Sequence, residues 1–316
     1  MNATNSTLMQ SEDAVVTVLR VKAGYTNDKG EVYDRDGRFI DFPRELGSKQ
    51  RLPLDPSSVD KQFRHQRVAC VVQERRNYSY YHWTYETLPK LIYLSNKRKE
   101  FKVDKLYFHF GYLGHPYQRQ ALRRLGFSYC QVLDAKRIKS LMAQEIVVVK
   151  LNETRLEPSN HLCRAIKAVF INRPVKEPYR KIYLTRDHIK TGRKLINEIE
   201  LRELLDAYGF QIVIAEKLTV AAQAKLFNES KYVISPHGAA LANIAFCEPG
   251  TKILELFNQT NRSMWSPLYS RIAKSCDLEL RPIPPKQLAE SMESNHRSNF
   301  HTDLVLIKAA LTEWGL

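Results

Sequence analysis

The stretch Tyr232 to Phe257, YVISPHGAALANIAFCEPGTKILELF, carries a strand, a corner, a helix and a second strand in unbroken order. Tyr232 to Ile234 is a short apolar run rich in β-branched residues, and Pro236 and Gly238 break it. His237 therefore stands where a buried strand hands over to a helix predicted over Ala239 to Phe246. After the turn Glu248-Pro249-Gly250 the spacing predicts a strand over Lys252 to Phe257. In a parallel α/β sheet this corner is the ligand position, because ligands bind outside the carboxyl ends of the strands. Free N–H groups at a helix start there favour phosphate.

The pattern extends upstream. Lys181 to Thr185 reads as a strand, Ile199 to Tyr208 as a helix closed by Gly209, Phe210 to Ala215 as a strand and Val220 to Asn228 as a helix. Strands alternating with short helices in this way predict a parallel, doubly wound sheet. The N-terminal half is mixed. Strands are expected at Val15 to Leu19, Val68 to Val72, Lys105 to Phe110 and Glu145 to Val149, with helices at His82 to Ser95, Tyr117 to Leu125 and His161 to Phe170. The proline-bearing stretch Asn172 to Tyr179 reads as a linker, so the expected domains are residues 1–177 and 178–316. A last amphipathic helix, Asp303 to Trp314, is expected to pack into a core, with a return onto the N-terminal domain or a partner contact as the alternatives.

Composition sets outer bounds. With 316 residues, 43% hydrophobic and 26% charged, the chain has apolar material for two cores. No window approaches the roughly 18 consecutive apolar residues of a membrane span, and MNATNSTLMQSED lacks the apolar stretch of a signal peptide. The expectation is a cytoplasmic protein, peripheral at a membrane surface in one reading and lumenal if a targeting segment has been removed. The five cysteines are scattered without a zinc spacing and are expected to be reduced core thiols. The sequons at Asn77 and Asn258 carry little weight. The net charge of +15 calls for an anionic partner: a nucleotide phosphate, an acidic membrane surface or nucleic acid. The basic clusters lack a nucleic-acid motif or an interleaved aromatic platform, so no nucleic-acid partner is expected.

Three stretches combine into a resemblance. They are the corner, Tyr183-Leu-Thr-Arg186 with Gly192-Arg193-Lys-Leu-Ile-Asn197-Glu198, and Tyr81-His82-Trp83-Thr-Tyr-Glu86-Thr-Leu-Pro89. Together, over roughly residues 78 to 257, they resemble glycosyltransferase family 61. Its signatures are a Y-x-[ST]-R strand end, an R-x-x-x-N-E element, a G-P-H-G-A-x-L-x-N corner, a V-x-E-L strand and an H-W-x-x-E-x-x-P helix. The chain departs from them at Ser235, Ala240 and Ile253. The resemblance implies a GT-B-like α/β fold, with two Rossmann-like domains facing across a cleft. It also implies an inverting transfer of a sugar, with UDP as the donor nucleotide, to a hydroxyl of a glycan or glycolipid.

On that reading the donor site is Arg186, Arg193, Pro236, His237, Gly238, Ala239, Asn243 and Glu255. Two guanidiniums suit a diphosphate, which arginine binds bidentately. Each also has a plain alternative: Arg186 and Arg193 as surface charges, His237 as a packed core histidine, Asn243 as a loop tie and Glu255 as half of a buried ion pair. For Asn197, the spacing to Glu200 is that of a capping box, which outweighs ligand contact. Glu255 sits between Leu254 and Leu256 on a central strand, where accepting both ribose hydroxyls would offset its burial. His82 and Glu86 share a helix face, and one of them is expected to be the catalytic base; a surface hydrogen bond between them is the alternative. No cofactor is expected. Asp34-Arg-Asp36 has the letters of a D-x-D metal motif but lies in a turn-like stretch, so metal independence is expected. The rival classes are a non-catalytic glycan-binding protein and a basic nucleic-acid-binding protein.

Overall fold

The computed structural model describes residues 8–10, 16–40, 55–71, 79–152, 158–189, 193–258, 268–288 and 299–316. The chain forms two compact units, residues 1–155 and 156–316. The division falls before the expected boundary near Pro178, and helix Asn160–Phe170 explains why. Its buried Leu162, Cys163, Ile166 and Phe170 belong to the second unit's packing, with Phe170 edge-on to Phe246 at 5.8 Å. The stretch read as a linker is tied down as well: Val175 N donates to Asn228 Oδ1 and Tyr179 N to Glu229 O.

The first unit is a mixed sheet ordered Leu8–Gln10, Val16–Asn27, Ser140–Leu151, Arg67–Cys70, Leu106–Phe110, Val132–Asp134, with Val32–Tyr33 paired to Val16–Asn27. The last four in that order run parallel, joined in part by helices Tyr80–Asn96 and Pro116–Arg124. Val16–Asn27 runs antiparallel to Ser140–Leu151 along their whole length. Each of these strands has 12 residues, longer than their continuous apolar runs predict, because the ladder carries on through segments where apolar and polar residues are mixed.

Helix Tyr80–Asn96 has an irregularity with a local cause. Residues Trp83–Thr87 form a π-helical turn, closed by Leu88 N–H donating to Trp83 O. Pro89 follows immediately; it has no N–H to give, and its ring would clash with the carbonyl four residues back in a regular helix. Widening the preceding turn relieves that clash, and such turns recur at functional sites. All five residues of the turn are buried.

The second unit is a five-stranded parallel sheet ordered Glu279–Ile283, Lys252–Leu256, Ser230–Pro236, Arg180–Leu184, Gln211–Val213. Its central strands are near-continuous apolar runs because helices cover both faces. The α/β, Rossmann-like class expected from the sequence is the one observed. The C-terminal helix Leu304–Glu313 packs into this unit: Ile307, Ala310 and Leu311 join Tyr232, Ile234, Leu254 and Leu256 in one core, and Trp314 stacks on Tyr232.

Ala239–Phe246 is a run of 3-10 turns rather than the expected α-helix. The 3-10 form suits the length of the crossover. The crossover must climb back along the neighbouring five-residue strand, about 16 Å at 3.3 Å per residue. Eight residues at about 2.0 Å each cover that distance in 3-10 form, where an α-helix would cover about 12 Å.

Candidate functional site

From Arg180–Leu184 the chain moves through helix Glu198–Ala207 to Gln211–Val213 at one edge of the sheet. It then returns to lay Ser230–Pro236 on the other side of Arg180–Leu184 and continues outward through Lys252–Leu256 to Glu279–Ile283. Connections leaving two adjacent strands in opposite directions open a crevice above their carboxyl ends, the switch point where parallel sheets bind ligands. Thr185 and Arg186 follow one of these strands, and His237 and Gly238 the other.

The two strand ends meet directly. A Cβ placed on Gly238 would stand 2.5 Å from Arg186 Nη1, so the glycine is required for the guanidinium to lie across the corner. Gly238 has φ 179, extended backbone, so close approach and not conformation demands the glycine. Arg186 Nε has no hydrogen-bond partner among the described residues. Burial pulls the guanidinium below its ordinary pKa, with Glu216 and Tyr269 opposing. A half-buried cation with an unsatisfied N–H is costly, and an anion in the crevice would relieve it.

His237 is buried and oriented from several sides. Its backbone N donates to Leu256 O, and its Nδ1 lies 2.6 Å from Glu255 Oε1 on the adjacent strand. Its ring stacks on Phe257 at 5.4 Å and packs against Tyr269 at 5.3 Å, while Tyr269 Oη donates to Gly238 O. Glu255 is thus engaged by histidine, the buried-pair alternative of the sequence reading, and the contact sets the imidazole's orientation. Phe257 lies beside a motif, but Tyr269 comes from helix Leu268–Ser275, far along the chain, and no local pattern marks it.

The other expected donor residues divide. Pro236 ends its strand, and half-buried Ala239 opens the 3-10 run. Asn243 is fully buried with Nδ2 donating to Gln223 Oε1, so it ties this run to helix Val220–Asn228, the plainer of its two readings. Arg193 has a left-handed backbone, φ 57, in the segment leading to Glu198, and Gly192 of its motif lies outside the described residues. Asn197 does not cap its helix. Its side chain brackets Thr302, with Nδ2 donating to Thr302 O and Oδ1 accepting from Thr302 N, so the long-range pair displaces the expected capping box. Glu198 accepts from Tyr183 Oη, Thr185 Oγ1 and Arg202 Nη2. That explains why tyrosine and threonine precede Arg186: they anchor the strand end that carries it.

In the first unit, the π-helical turn brings His82 Nδ1 into hydrogen-bond contact with Glu86 Oε1. Glu86 is 3% exposed and the His82 side chain 16%, so the pair is mostly buried rather than a surface contact. Asp34 Oδ1 accepts from the N–H groups of Asp36 and Arg38, making the D-x-D letters part of a turn. Among the described residues no group of three or more His, Cys, Asp or Glu is placed to hold a metal ion, and no helix is long and apolar enough to cross a membrane.

The family model described as glycosyltransferase 61 matches residues 80–254. The chain belongs to glycosyltransferase family 61. The match begins at the helix carrying His82 and Glu86 and ends within the strand that places Glu255, so nearly every motif discussed falls inside it. Among curated proteins no sequence matches this family 61 chain. Membership supports a glycosyltransferase, and the arrangement of Arg186, Gly238 and His237 is where its sugar-donor chemistry is sought.

Proposed function

We propose that the protein is an inverting glycosyltransferase that takes a sugar from a nucleotide-sugar, UDP-linked on the family resemblance, and delivers it to a hydroxyl of a glycan or lipid-linked glycan. The observation that carries the reading is the guanidinium of Arg186 across Gly238 at the switch point, with an unsatisfied N–H beside the oriented imidazole of His237. A diphosphate supplies the missing acceptors. Arg186 binds its oxygens as a fork, His237 donates from the ring that Glu255 holds, and the corner Pro236 to Ala239 offers backbone groups. Arg193 adds a second positive charge from the neighbouring segment. As the glycosidic bond breaks, negative charge grows on the departing diphosphate, and these fixed cations stabilise it without reorganising. No metal is assigned to this step.

His82 takes the proton of the acceptor hydroxyl. Glu86, the more buried of the pair, holds Nδ1, so proton exchange falls to Nε2 and Glu86 is a positioning residue. The charge of +15 suits both an anionic donor and a peripheral stay at an anionic membrane surface that presents lipid-linked acceptors.

Thermal-shift titration of the full chain with UDP, GDP, CDP and CMP sugars tests the reading. Stabilisation by one nucleotide class, reduced in both Arg186→Ala and His237→Ala, is expected. No stabilisation by any of them, with the variants responding like the wild type, overturns it. Glycan binding without nucleotide binding would favour a non-catalytic module. Steeply salt-dependent binding to bulk DNA or RNA that survives His237→Ala would favour a nucleic-acid binder.

A further inference from the structure

Away from the switch point, three cysteines from separate parts of the chain line one cavity of about 180 Å³ in the second unit. Cys163 comes from helix Asn160–Phe170, Cys247 closes the 3-10 run, and Cys276 follows helix Leu268–Ser275. Two stitches hold the helix ends together: Asn160 Nδ2 donates to Ser275 O, and Ser275 Oγ donates to Pro158 O. Cys163 and Cys276 both line this cavity, from helices whose ends the clamp holds side by side. The ammonium of Lys167 lines the same cavity, anchored to Cys247 O at 2.8 Å and to Glu248 at 2.9 Å.

The three thiols are not equivalent. Cys247 is fully enclosed, and burial pushes its thiol far above the ordinary value, which leaves it unreactive. Cys276 is half-buried. The hydrogen bond from Cys163 holds its thiol below the ordinary value against the opposing effect of burial, and the charge of Lys167 adds to the lowering. A thiolate-prone, reachable sulfur with a second thiol lining the same small cavity is the arrangement of an attacking cysteine and its resolving partner.

We propose that Cys276 and Cys163 form an oxidation site that a hydroperoxide converts into a reversible disulfide. The Cys276 thiolate attacks the peroxide; the O–O bond breaks, water or an alcohol leaves, and Cys276 becomes a sulfenic acid. The Cys163 sulfur then attacks Cys276 and gives up its proton, the S–O bond breaks, and water departs as the S–S bond forms. Two thiols are oxidised by two electrons in all, and one peroxide is reduced. The new bond ties helix Leu268–Ser275, whose Tyr269 supports Gly238 and His237, to helix Asn160–Phe170. The proposal does not depend on the donor-site reading, because its test follows sulfur chemistry alone.

The test is peroxide titration of the full chain carrying Cys130→Ser, which removes the exposed thiol that would otherwise react in the background. Peptide mapping is expected to find residues 163 and 276 linked, with thiol reductant restoring both. In Cys163→Ser a sulfenic acid trapped by dimedone should accumulate at Cys276, while Cys276→Ser should slow peroxide consumption at least tenfold and give no adduct at Cys163. Both cysteines remaining fully alkylatable after denaturation of the peroxide-treated protein would overturn the proposal. So would dimedone labelling at Cys163 in place of Cys276.

Discussion

His237 Nδ1 and Glu255 Oε1 lie 2.6 Å apart on adjacent parallel strands, and His82 and Glu86 repeat the same atom pairing within a single helix. Each unit thus holds one imidazole by its Nδ1 with a buried carboxylate. Removing either partner strands the other. Glu255→Ala is expected to cost about 3 kcal/mol or more of the second unit's stability, the scale for breaking a buried pair. Glu255→Gln, which keeps an acceptor of the same shape, should cost clearly less. Denaturant unfolding of the two variants checks this, and equal losses would show that the contact does not stabilise the fold.

Gly238→Ala separates binding from folding. The backbone there is extended and accepts any residue, but the new methyl would occupy the place of Arg186 Nη1. The expected outcome is a near-wild-type melting temperature with nucleotide affinity weakened at least tenfold, about 1.4 kcal/mol. Calorimetric titration reads it; unchanged affinity would remove Arg186 from the donor site.

For the acceptor side, His82→Ala should lower kcat by a factor of about 100 to 10,000, the range for losing a general base, with donor affinity retained. Glu86→Gln, which keeps an acceptor for Nδ1, should lower kcat less, with the donor KM unchanged. Glu86→Ala, which leaves Nδ1 unheld, should lower kcat nearly as far as His82→Ala, so that the conservative variant rescues the positioning role. Steady-state kinetics of the three variants checks this, and equal losses in Glu86→Gln and Glu86→Ala would remove the positioning role.

Acid should weaken the first unit through His109. Its ring is fully enclosed on strand Leu106–Phe110, with Nε2 donating to Ile138 O at 2.8 Å and Nδ1 without a partner among the described residues. Burial lowers its pKa below the ordinary 6.5, against the Ile138 bond and the charges of Asp28 and Asp134. Between the folded value and 6.5 the unfolded chain binds the extra proton, so stability rises with pH across that window. It is fully present above 6.5 and lost as pH falls, by up to about 1.4 kcal/mol per unit. Protection factors of residues 106–110, with the intrinsic pH dependence of amide exchange divided out, should fall on acidification in the wild type and less so in His109→Gln. Identical pH dependence in the two would exclude His109 as the source.

Much of the fold was legible because its signals are local. The apolar runs, the breaks at Pro236 and Gly238 and the alternation of strand and helix follow from how each residue fits a pleat or a turn. Helix Val220–Asn228 has the limits its pattern predicts. The failures have a common physical cause. Glu279–Ile283 is the edge strand beside Lys252–Leu256, with partly exposed residues and a proline, so its sequence lacks a buried strand's apolar run. Asn197 has the spacing of a cap yet bonds Thr302, 105 positions away. The extra strand length at Ser140–Leu151 is paired throughout with Val16–Asn27, a partner far away in the sequence.

The candidate site divides along the same line. Residue order alone was enough to point to the corner at His237, the Arg186 strand end and the His82 helix, because each is a short motif whose geometry is set by neighbours in the chain. The meeting of the Arg186 and His237 motifs comes from the strand order, which places the strands ending before them side by side although some 50 residues separate them. Glu255 being held by His237, Arg186 lying across Gly238, and Tyr269 closing over the corner are contacts between distant segments. Packing and the satisfaction of buried polar groups select such contacts, and those energies exist only once the sheet has formed.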